Sequence, residues 1–555
     1  MTFDELAREA KEIWHRALKR VEVVEVGDSY SSDEKKGLLE VFYTSLYRSL
    51  QFPRLLHEVT EDGSDVHYSP YDHDGRVTPG YSSTDSGFWD SYRALYPMLS
   101  LLYPEQMSRF IQGWVTAWKS SGWLPQWPSP GERNMMDGTL ADAVLADAIV
   151  KGLPGFNVSE AYAAARQDAY IDGTYQHGRS SLKEYDSLGY VDPESSTDSL
   201  SKTLDYMLAD NALAHAAEVL GKIDDAARFG ARAAKYALLF DQATGFLRSP
   251  KSQLQGKPVF GPGFDEFEWS DEYTEGGPWQ YRFSVPWDPQ GLSELYRSAG
   301  QDMCQELERM MTSANSYGYY HDYGTIHEQR EMEKNCWGQY SHNNQPVHHV
   351  LYMFAAISRN ISSNCARRGQ HWLRKAMLEL YKPGVSMFSG DEDNGAMSSW
   401  FVLSALGLYQ LEPGRPSFTL GSPLFREVRV RQAGHSLHIL ADGNSKAQPF
   451  VASASFTSST GRVEELLKAE VAYKDLTSGG VLRFTMAQQR PSSEELQQKS
   501  SVSLGRSSSI AVSISQIWLI VPVVLITLLG WKWVMSTRDQ GVKLLQDCSD
   551  VESSN

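Results

Sequence analysis

Three consecutive carboxylates, Asp391, Glu392 and Asp393, lie in the segment Gly-Asp-Glu-Asp-Asn-Gly, directly before an apolar run that predicts a helix. Adjacent negative charges repel one another unless water, a cation or the positive end of a helix offsets the repulsion. The segment could therefore bind a cation or supply a catalytic base. A solvated turn that caps the helix is the alternative. The ligand spacing of an EF-hand is absent, which excludes that type of calcium loop.

A fourth carboxylate, Glu275, is followed by two glycines and flanked by aromatic residues, in Tyr-Thr-Glu-Gly-Gly-Pro-Trp-Gln-Tyr. Such surroundings can remove part of the hydration of a carboxyl group, which raises its pKa and suits it to donate a proton. Glycoside hydrolysis needs one protonated and one ionised carboxyl group across the scissile bond. Glu275 with Asp391 or Asp393 could supply that pair, although Glu275 could also be an ordinary loop residue.

Two further segments combine polar residues at close spacing. Residues 342–349 hold Asn344, Gln345 and three histidines. Adjacent histidines on a helix diverge by about 100° and rarely share one ion, so the amide oxygens point to calcium rather than to a transition metal. Asp90 and Arg93 lie about one helical turn apart, where they could bind a polar ligand or simply pair with each other.

The composition excludes some classes of function. The 555 residues carry a formal net charge of −17, which argues against a nucleic-acid partner because phosphate binding needs a basic surface. Fifteen Trp and 28 Tyr are compatible with stacking on sugar rings. The four cysteines allow one disulfide among Cys304, Cys336 and Cys365 but form no zinc motif. Asn157 and Asn360 begin Asn-x-Ser sequons.

Helices must position most of these residues. Between residues 33 and 408, about twelve segments show apolar residues at i, i+3 and i+4, which predicts a mainly α fold. Twelve helices in consecutive pairs favour an (α/α)6 barrel over 33–412, with functional groups on the long loops at one end. Alternating apolar and polar residues then predict a small C-terminal β region over 413–490.

The C-terminal part predicts a membrane anchor. Residues 510–534 form an apolar run without charge in its centre, and a helix needs about 20 such residues to cross a bilayer. Residues 491–509 predict a flexible stalk. Basic residues favour a cytoplasmic tail over 535–555, which would make the protein single-pass with its catalytic body lumenal or extracellular. A buried core helix is the alternative.

Eight segments in order make the chain similar to glycoside hydrolase family 92. Each segment is modest alone, but their shared order is specific, and they lie within the first 490 residues. The segments are GFWDSYRALYPMLSLLYPEQ, GWLPQWP, ADAVLADAIVKG, GRSSLKEYDSLGYV, YTEGGPWQY, NNQPVHHVLYMF, SGDEDNGAMSSWFVLSALGLYQLEPG and LGSPLF.

This resemblance implies an exo-acting, inverting, calcium-dependent α-mannosidase that removes terminal mannose, with α-1,2 linkages the first expectation, from glycoprotein glycans or other mannosides. It implies that Glu275 is the acid and that Asp391 or Asp393 is the base. The implied Ca2+ ligands are Gln345, His349 and Asp393. The residues implied to bind the substrate are Trp89, Asp90, Arg93, Trp127, Trp279, Asn344 and Gln345.

Two departures from the family pattern affect these expectations. Many members have Glu where this chain has Gln345, in a region that helps to recognise the leaving sugar, so the linkage preference stays open. The family also carries an N-terminal β-sandwich, and residues 1–32 read as the linker helix that follows a missing sandwich. A non-catalytic, mannose-binding membrane protein of the same family is therefore the alternative function. The sequence does not indicate an oligomeric state.

Overall fold

The computed structural model describes residues 2–72, 74–174, 177–320, 324–432 and 434–488. Within these residues the α-helices are α1 Phe3–Leu18, α2 Ser32–Ser49, α3 Phe88–Ser91, α4 Leu95–Leu102, α5 Pro104–Ser121, α6 Leu140–Lys151, α7 Val158–Tyr170, α8 Leu182–Leu188, α9 Ser199–Val219, α10 Ile223–Ala233, α11 Pro278–Tyr281, α12 Pro289–Ser298, α13 Met303–Thr312, α14 His327–Asn335, α15 Val350–Ala356, α16 Asn364–Glu379, α17 Ala396–Ala405 and α18 Tyr473–Thr477.

The strands are mostly short, and the longer ones follow residue 426. They are β1 Val21–Glu25, β2 Arg54–Leu55, β3 Glu58–Val59, β4 Asp65–Tyr68, β5 Val77–Pro79, β6 Ser83–Thr84, β7 Phe240–Asp241, β8 Phe246–Leu247, β9 Ser252–Leu254, β10 Lys257–Val259, β11 Leu408–Tyr409, β12 Ser417–Leu420, β13 Glu427–Gln432, β14 His435–Asp442, β15 Phe450–Ser458, β16 Val463–Glu465, β17 Glu470–Ala472 and β18 Gly480–Ala487.

The helical part of the structure, called here the ring, has buried inner members. Helices α4, α6, α9, α15 and α17, called here the inner helices, are buried around most of their circumference. A helix that is apolar on all sides must lie inside the protein, whereas α5, α10 and α16 bury only one face. Helix α17 packs against both α2 and α4, so the last helix of this part contacts helices near its beginning.

A six-stranded sheet packs beside the ring, in the order β1-β13-β14-β18-β15-β16. Neighbouring strands are antiparallel, except that β14 and β18 run parallel. The alternation of apolar and polar residues in β13, β14, β15 and β18 therefore predicts these four strands correctly. Strand β15 contacts α16, which joins the sheet to the ring.

The N-terminal segment differs from the predicted linker helix. Helix α1 ends at Leu18, and the following Val21–Glu25 forms the edge strand β1, with Val21 opposite Val430. Valine is β-branched and loses side-chain freedom in a helix, so this alternating Val/Glu stretch pairs with the sheet instead. Part of the 1–32 segment, the strand Val21–Glu25, thus belongs to the six-stranded sheet and not to a linker helix.

The predicted fold class is therefore wrong in two respects. The β region is not only C-terminal, because β1 comes from the N-terminal segment and nine short strands, β2 to β10, lie between helices. The predicted transmembrane helix is also unsupported, because no helix of the described residues has the length and apolarity to cross a membrane. The segments 491–509, 510–534 and 535–555 lie outside the described residues. The corrected fold is a ring of helices joined to a mixed β-sheet.

Candidate active site

The candidate site lies where the segments that precede several helices of the ring meet. Glu275 precedes α11, Asn344 and Gln345 precede α15, and Asp393 precedes α17. Hydrogen bonds connect these segments, although they are far apart in sequence. The structure therefore brings together the acid, the base candidates and the amide segment that the sequence predicts.

Glu275 is held in a strained turn by its neighbours. Its φ is 45°, a left-handed conformation that is uncommon for a residue with a Cβ. Its N–H donates to Tyr320 Oη at 3.3 Å, and Asn344 Nδ2 donates to both the backbone carbonyl and Oε2 of Glu275, each at 3.1 Å. The backbone of Glu275 is thus held by Tyr320 and Asn344, and its carboxyl group by Asn344 through Oε2, with Oε1 left free of the Asn344 bond.

The pKa of Glu275 is raised to about 7, first because burial penalises the charged form and second because the charge of Glu328 is nearby. The bond from Asn344 acts in the opposite direction, and the charge of Asp393 raises the pKa further. A carboxyl group with a pKa in this range is suited to general acid catalysis near neutral pH.

The three consecutive carboxylates have different environments. Glu392 accepts hydrogen bonds from Gly395 N at 2.8 Å and from Ser398 N at 3.3 Å, so it caps helix α17. Asp391 is exposed. Asp393 is half-buried with φ 55°, and Gln345 Nε2 donates to its Oδ2 at 2.5 Å. Burial raises the pKa of Asp393, while the bond from Gln345 is the largest effect that lowers it.

Asp90 and Arg93 form a second polar group beside these carboxylates. Asp90 is 3% exposed, and its buried Oδ2 has no hydrogen-bond partner among the described residues. Burial raises its pKa well above the usual value, and the charges of Asp393 and Glu275 raise it further. The Arg93 guanidinium packs over the rings of Trp89 and Tyr92, at 4.9 and 4.4 Å from their centroids. Such an orphaned buried acceptor is suited to a hydroxyl donor from a ligand.

The three tryptophans predicted to bind substrate lie in different places. Trp127 is half-buried, and its ring edge approaches Gly87, on the same face as the Asp90 carboxylate. Trp89 is 2% exposed and lies beneath Arg93. Trp279 is fully buried between Phe246 and Arg282. Trp127 is therefore available to a ligand, whereas Trp279 packs in the core.

The predicted metal ligands offer an oxygen-rich but incomplete set. Gln345 Oε1 is buried and has no protein partner within the described residues, close to the Asp393 carboxylate. These hard oxygen donors suit calcium, which completes its shell with water and ligand oxygens. His349 is different, because its Nε2 lies 3.0 Å from the Phe283 carbonyl and burial lowers its pKa to about 4. Among described residues, no group of three or more His, Cys, Asp or Glu could hold a metal.

The comparison with known families decides to which family the chain belongs. The model described as "Glycosyl hydrolase family 92 catalytic domain" matches residues 1–488. The chain belongs to this family. The family assignment rests on a match that spans the ring, the sheet and every candidate site residue.

Known relatives of this family 92 chain include two solved enzymes of Bacteroides thetaiotaomicron. One, an inverting mannosidase of the family, is 35% identical with a TM-score of 0.75, and the match covers 88% of this chain and 63% of that one. The other, an α-mannosidase in complex with mannoimidazole, is 27% identical with a TM-score of 0.74, covering 88% and 60%. An uncharacterised secreted glycosidase of Arthroderma benhamiae is 23% identical over 351 residues, which are 57% of this chain and 41% of that protein. The chain thus spans less than two thirds of each relative.

Sequence reasoning missed Glu328, which belongs to the site of this family 92 chain. It lies in the first turn of α14, is 6% exposed, and has one oxygen 2.9 Å from His327 Nε2. Its charge is the strongest ionic influence on Glu275. The only sequence signal was an acidic residue in the first turn of a helix, a common feature that capping alone explains.

The close packing at Gly87 gives a test of the site geometry. Gly87 has a φ of −71°, so alanine fits its backbone, but a Cβ there would lie 2.3 Å from Asp90 Oδ2 and 2.7 Å from Trp127 Cη2. We expect Gly87→Ala to displace both side chains and to lower kcat/KM for glycoside hydrolysis by about 10- to 100-fold. Gly230→Ala is the control, since it lies in α10 with nothing within 4 Å of the added carbon. Equal activity of the two variants would contradict this geometry.

Proposed function

We propose that this chain is an exo-acting α-mannosidase that removes terminal α-linked mannose from glycoprotein glycans or other mannosides, with inversion and with calcium. The observation that carries the proposal is the pair of half-buried carboxyl groups, Glu275 and Asp393, each held by a buried amide. Beside them lies Asp90, whose Oδ2 has no hydrogen-bond partner in the part of the chain that the structure describes. Inverting hydrolysis needs one such group as acid and the other as base. The two solved relatives named as mannosidases support mannose as the sugar. An α-1,2 linkage is the first to assay.

Glu275 acts as the general acid. Because Asn344 donates to Oε2, the other oxygen, Oε1, is the one that can carry the proton. This proton passes to the glycosidic oxygen as its bond to the anomeric carbon breaks, so the leaving sugar departs as a neutral alcohol. The elevated pKa keeps a large fraction of Glu275 protonated near neutral pH.

Asp393 acts as the general base on the opposite face of the sugar. Gln345 donates to its Oδ2 and favours the ionised form, which leaves Oδ1 to accept a proton from the attacking water. Neither neighbour is as well placed, since Glu392 caps α17 and Asp391 is exposed. The water attacks the anomeric carbon and inverts its configuration.

Asp90, Arg93 and Trp127 bind the terminal mannose. The buried Oδ2 of Asp90 accepts a hydrogen bond from a sugar hydroxyl, which removes the cost of its missing partner. Arg93 has a buried Nε that finds no partner among the described residues, and it offers donors beside Asp90. The exposed part of Trp127 provides an apolar surface for the C–H face of the sugar.

Gln345 Oε1 and Asp393 would hold the calcium ion, with His349 less suited because it offers nitrogen. When bound, calcium supplies positive charge that binds hydroxyls of the sugar and favours its distortion towards the transition state. The contribution of the chain is to present two oxygen donors on neighbouring segments, one from the buried Gln345 and one from the half-buried Asp393.

We also propose that the catalytic body works in a lumenal or extracellular compartment. Cys304 and Cys365 form a disulfide that joins the starts of α13 and α16. Disulfides persist mainly in oxidising compartments. Asn157 and Asn360, which begin the two sequons, are both exposed.

The roles of the two carboxyl groups are tested by isosteric substitution. We expect Glu275→Gln and Asp393→Asn each to slow hydrolysis of an α-mannoside by at least ~10²-fold, because each removes one proton-transfer group and keeps the shape. Glu268→Gln, an exposed carboxylate in the same loop as Glu275, should keep the wild-type rate. A rate near that of the wild type for Glu275→Gln or Asp393→Asn would exclude the proposed role of that residue.

The pKa of Glu275 predicts the alkaline side of the pH profile. Raising the pH removes the proton that the acid must donate, so kcat/KM should fall as the pH rises through about 7. Steady-state kinetics between pH 5 and 9 would measure this as an apparent pKa of the free enzyme, roughly at that value. A profile that stays flat to pH 9 would show that Glu275 is not the acid.

Calcium dependence is tested by chelation. We expect a calcium chelator to abolish hydrolysis and to lower the melting temperature, and added calcium to restore both, since a ligand that binds the folded state stabilises it. Gln345→Ala should need more calcium for the same recovery because one oxygen donor is lost. Unchanged activity and unchanged melting in the chelator would refute the metal site.

A further inference from the structure

The loop 125–138 contains a carboxylate, Glu132, that binds its own backbone. Its Oε2 accepts a hydrogen bond from Gln126 N at 2.8 Å, and its Oε1 accepts one from Trp127 N at 3.1 Å. Burial raises the pKa of Glu132 to about 7, while the two backbone bonds favour its ionised form, in which such bonds are stronger than those between neutral groups. Both oxygens of Glu132 are thus used to hold two consecutive amides.

The same loop is closed by a second bond. Arg133 N donates to Trp127 O at 3.1 Å, so the N–H and the C=O of Trp127 are both held by residues five and six positions later. Because the backbone of Trp127 is fixed, its indole can move mainly by rotation about the side-chain bonds.

Other contacts anchor the loop on either side of Trp127, not at it. Pro128 O accepts hydrogen bonds from Asp85 N at 2.8 Å and from Thr84 Oγ1 at 3.2 Å. On the other side, Gln126 Nε2 donates to Gly178 O at 2.9 Å. These bonds fix where the loop lies, whereas Glu132 fixes the orientation of the residue that carries the indole.

The orientation matters because the indole lies at the sugar pocket. The edge of its six-membered ring and the Asp90 carboxylate flank the same face of Gly87. Gly87 N in turn donates to Asn394 Oδ1 at 3.0 Å, next to Asp393. A rotation of the Trp127 backbone would therefore move an apolar wall of the pocket relative to the groups that bind and hydrolyse the sugar.

We propose that Glu132 is a positioning residue that fixes the Trp127 indole against the sugar pocket and thereby promotes sugar binding without touching the sugar. This inference rests on the proposed function for the identity of the sugar. It assigns Glu132 an effect on substrate affinity rather than on proton transfer.

Glu132→Gln tests the inference with little change in shape. The amide has one acceptor oxygen, so only one of the two backbone N–H groups keeps its bond and the other meets an NH2 group. We expect KM for an α-mannoside to rise by about tenfold, with kcat reduced by less than about threefold, as the loss of one such bond predicts. Asn134→Ala, an exposed change in the same loop, should leave both constants unchanged.

A double-mutant cycle separates positioning from a general structural role. If Glu132 acts only through the indole, Glu132→Gln should have no further effect on KM in a Trp127→Ala background. Hydrogen exchange of the full-length protein should show faster exchange at the amides of Gln126 and Trp127 in Glu132→Gln, with the exchange of α6 unchanged.

Each outcome decides the inference. Additive effects of the two substitutions, an unchanged KM, or unchanged exchange at both amides would overturn it, and so would a failure of Glu132→Gln to fold. If the wild-type chain hydrolyses no α-mannoside, the proposed function fails separately. The exchange of the two amides then still shows whether Glu132 holds the loop, and unchanged exchange would overturn the inference in that case too.

Discussion

Two adjacent amide side chains, Asn344 and Gln345, fix the relative positions of the two carboxyl groups on which the site depends. Asn344 donates to Glu275 and Gln345 donates to Asp393. Both amides are at most 4% exposed, so the segment that carries them cannot shift without disturbing the core. A single dipeptide thus sets the separation of the proposed acid and base, the quantity that distinguishes inverting from retaining glycosidases.

Burial gives these carboxyl groups their chemistry, and the ring of helices makes that burial possible. Burying a carboxylate costs free energy, and here the cost appears as raised pKa values of Glu275, Asp393 and Asp90. The segments that carry them come from positions separated by up to about three hundred residues; Glu275 and Asp393 each precede a helix of the ring, and Asp90 lies in the short helix α3. Left-handed φ values at Glu275 and Asp393 show that local backbone strain is tolerated where the site needs it.

Residue type and order predicted which side chains meet at the site better than they predicted the details of its packing. Glu275, Asp393 and Gln345 could be predicted from ordered motifs, and the structure brings them together. The capping role of Glu392 could not, because the sequence does not show which of three adjacent carboxylates faces the helix end. Trp279 was predicted to bind sugar but lies in the core, since a Trp beside a catalytic motif serves either purpose. The predicted fold class was wrong in its transmembrane helix, which was placed at residues 510–534, outside the described residues. It was also wrong in confining the β region to the C-terminus.

The most direct test of the account is the anomeric configuration of the mannose that is first released. Proton NMR, recorded within minutes of adding the calcium-loaded enzyme to an α-linked mannobiose, distinguishes the two anomers before mutarotation mixes them. If Glu275 and Asp393 act as acid and base across a water molecule, β-mannose appears first. Initial release of α-mannose would contradict the account, because it would require a covalent intermediate that this arrangement is not expected to form.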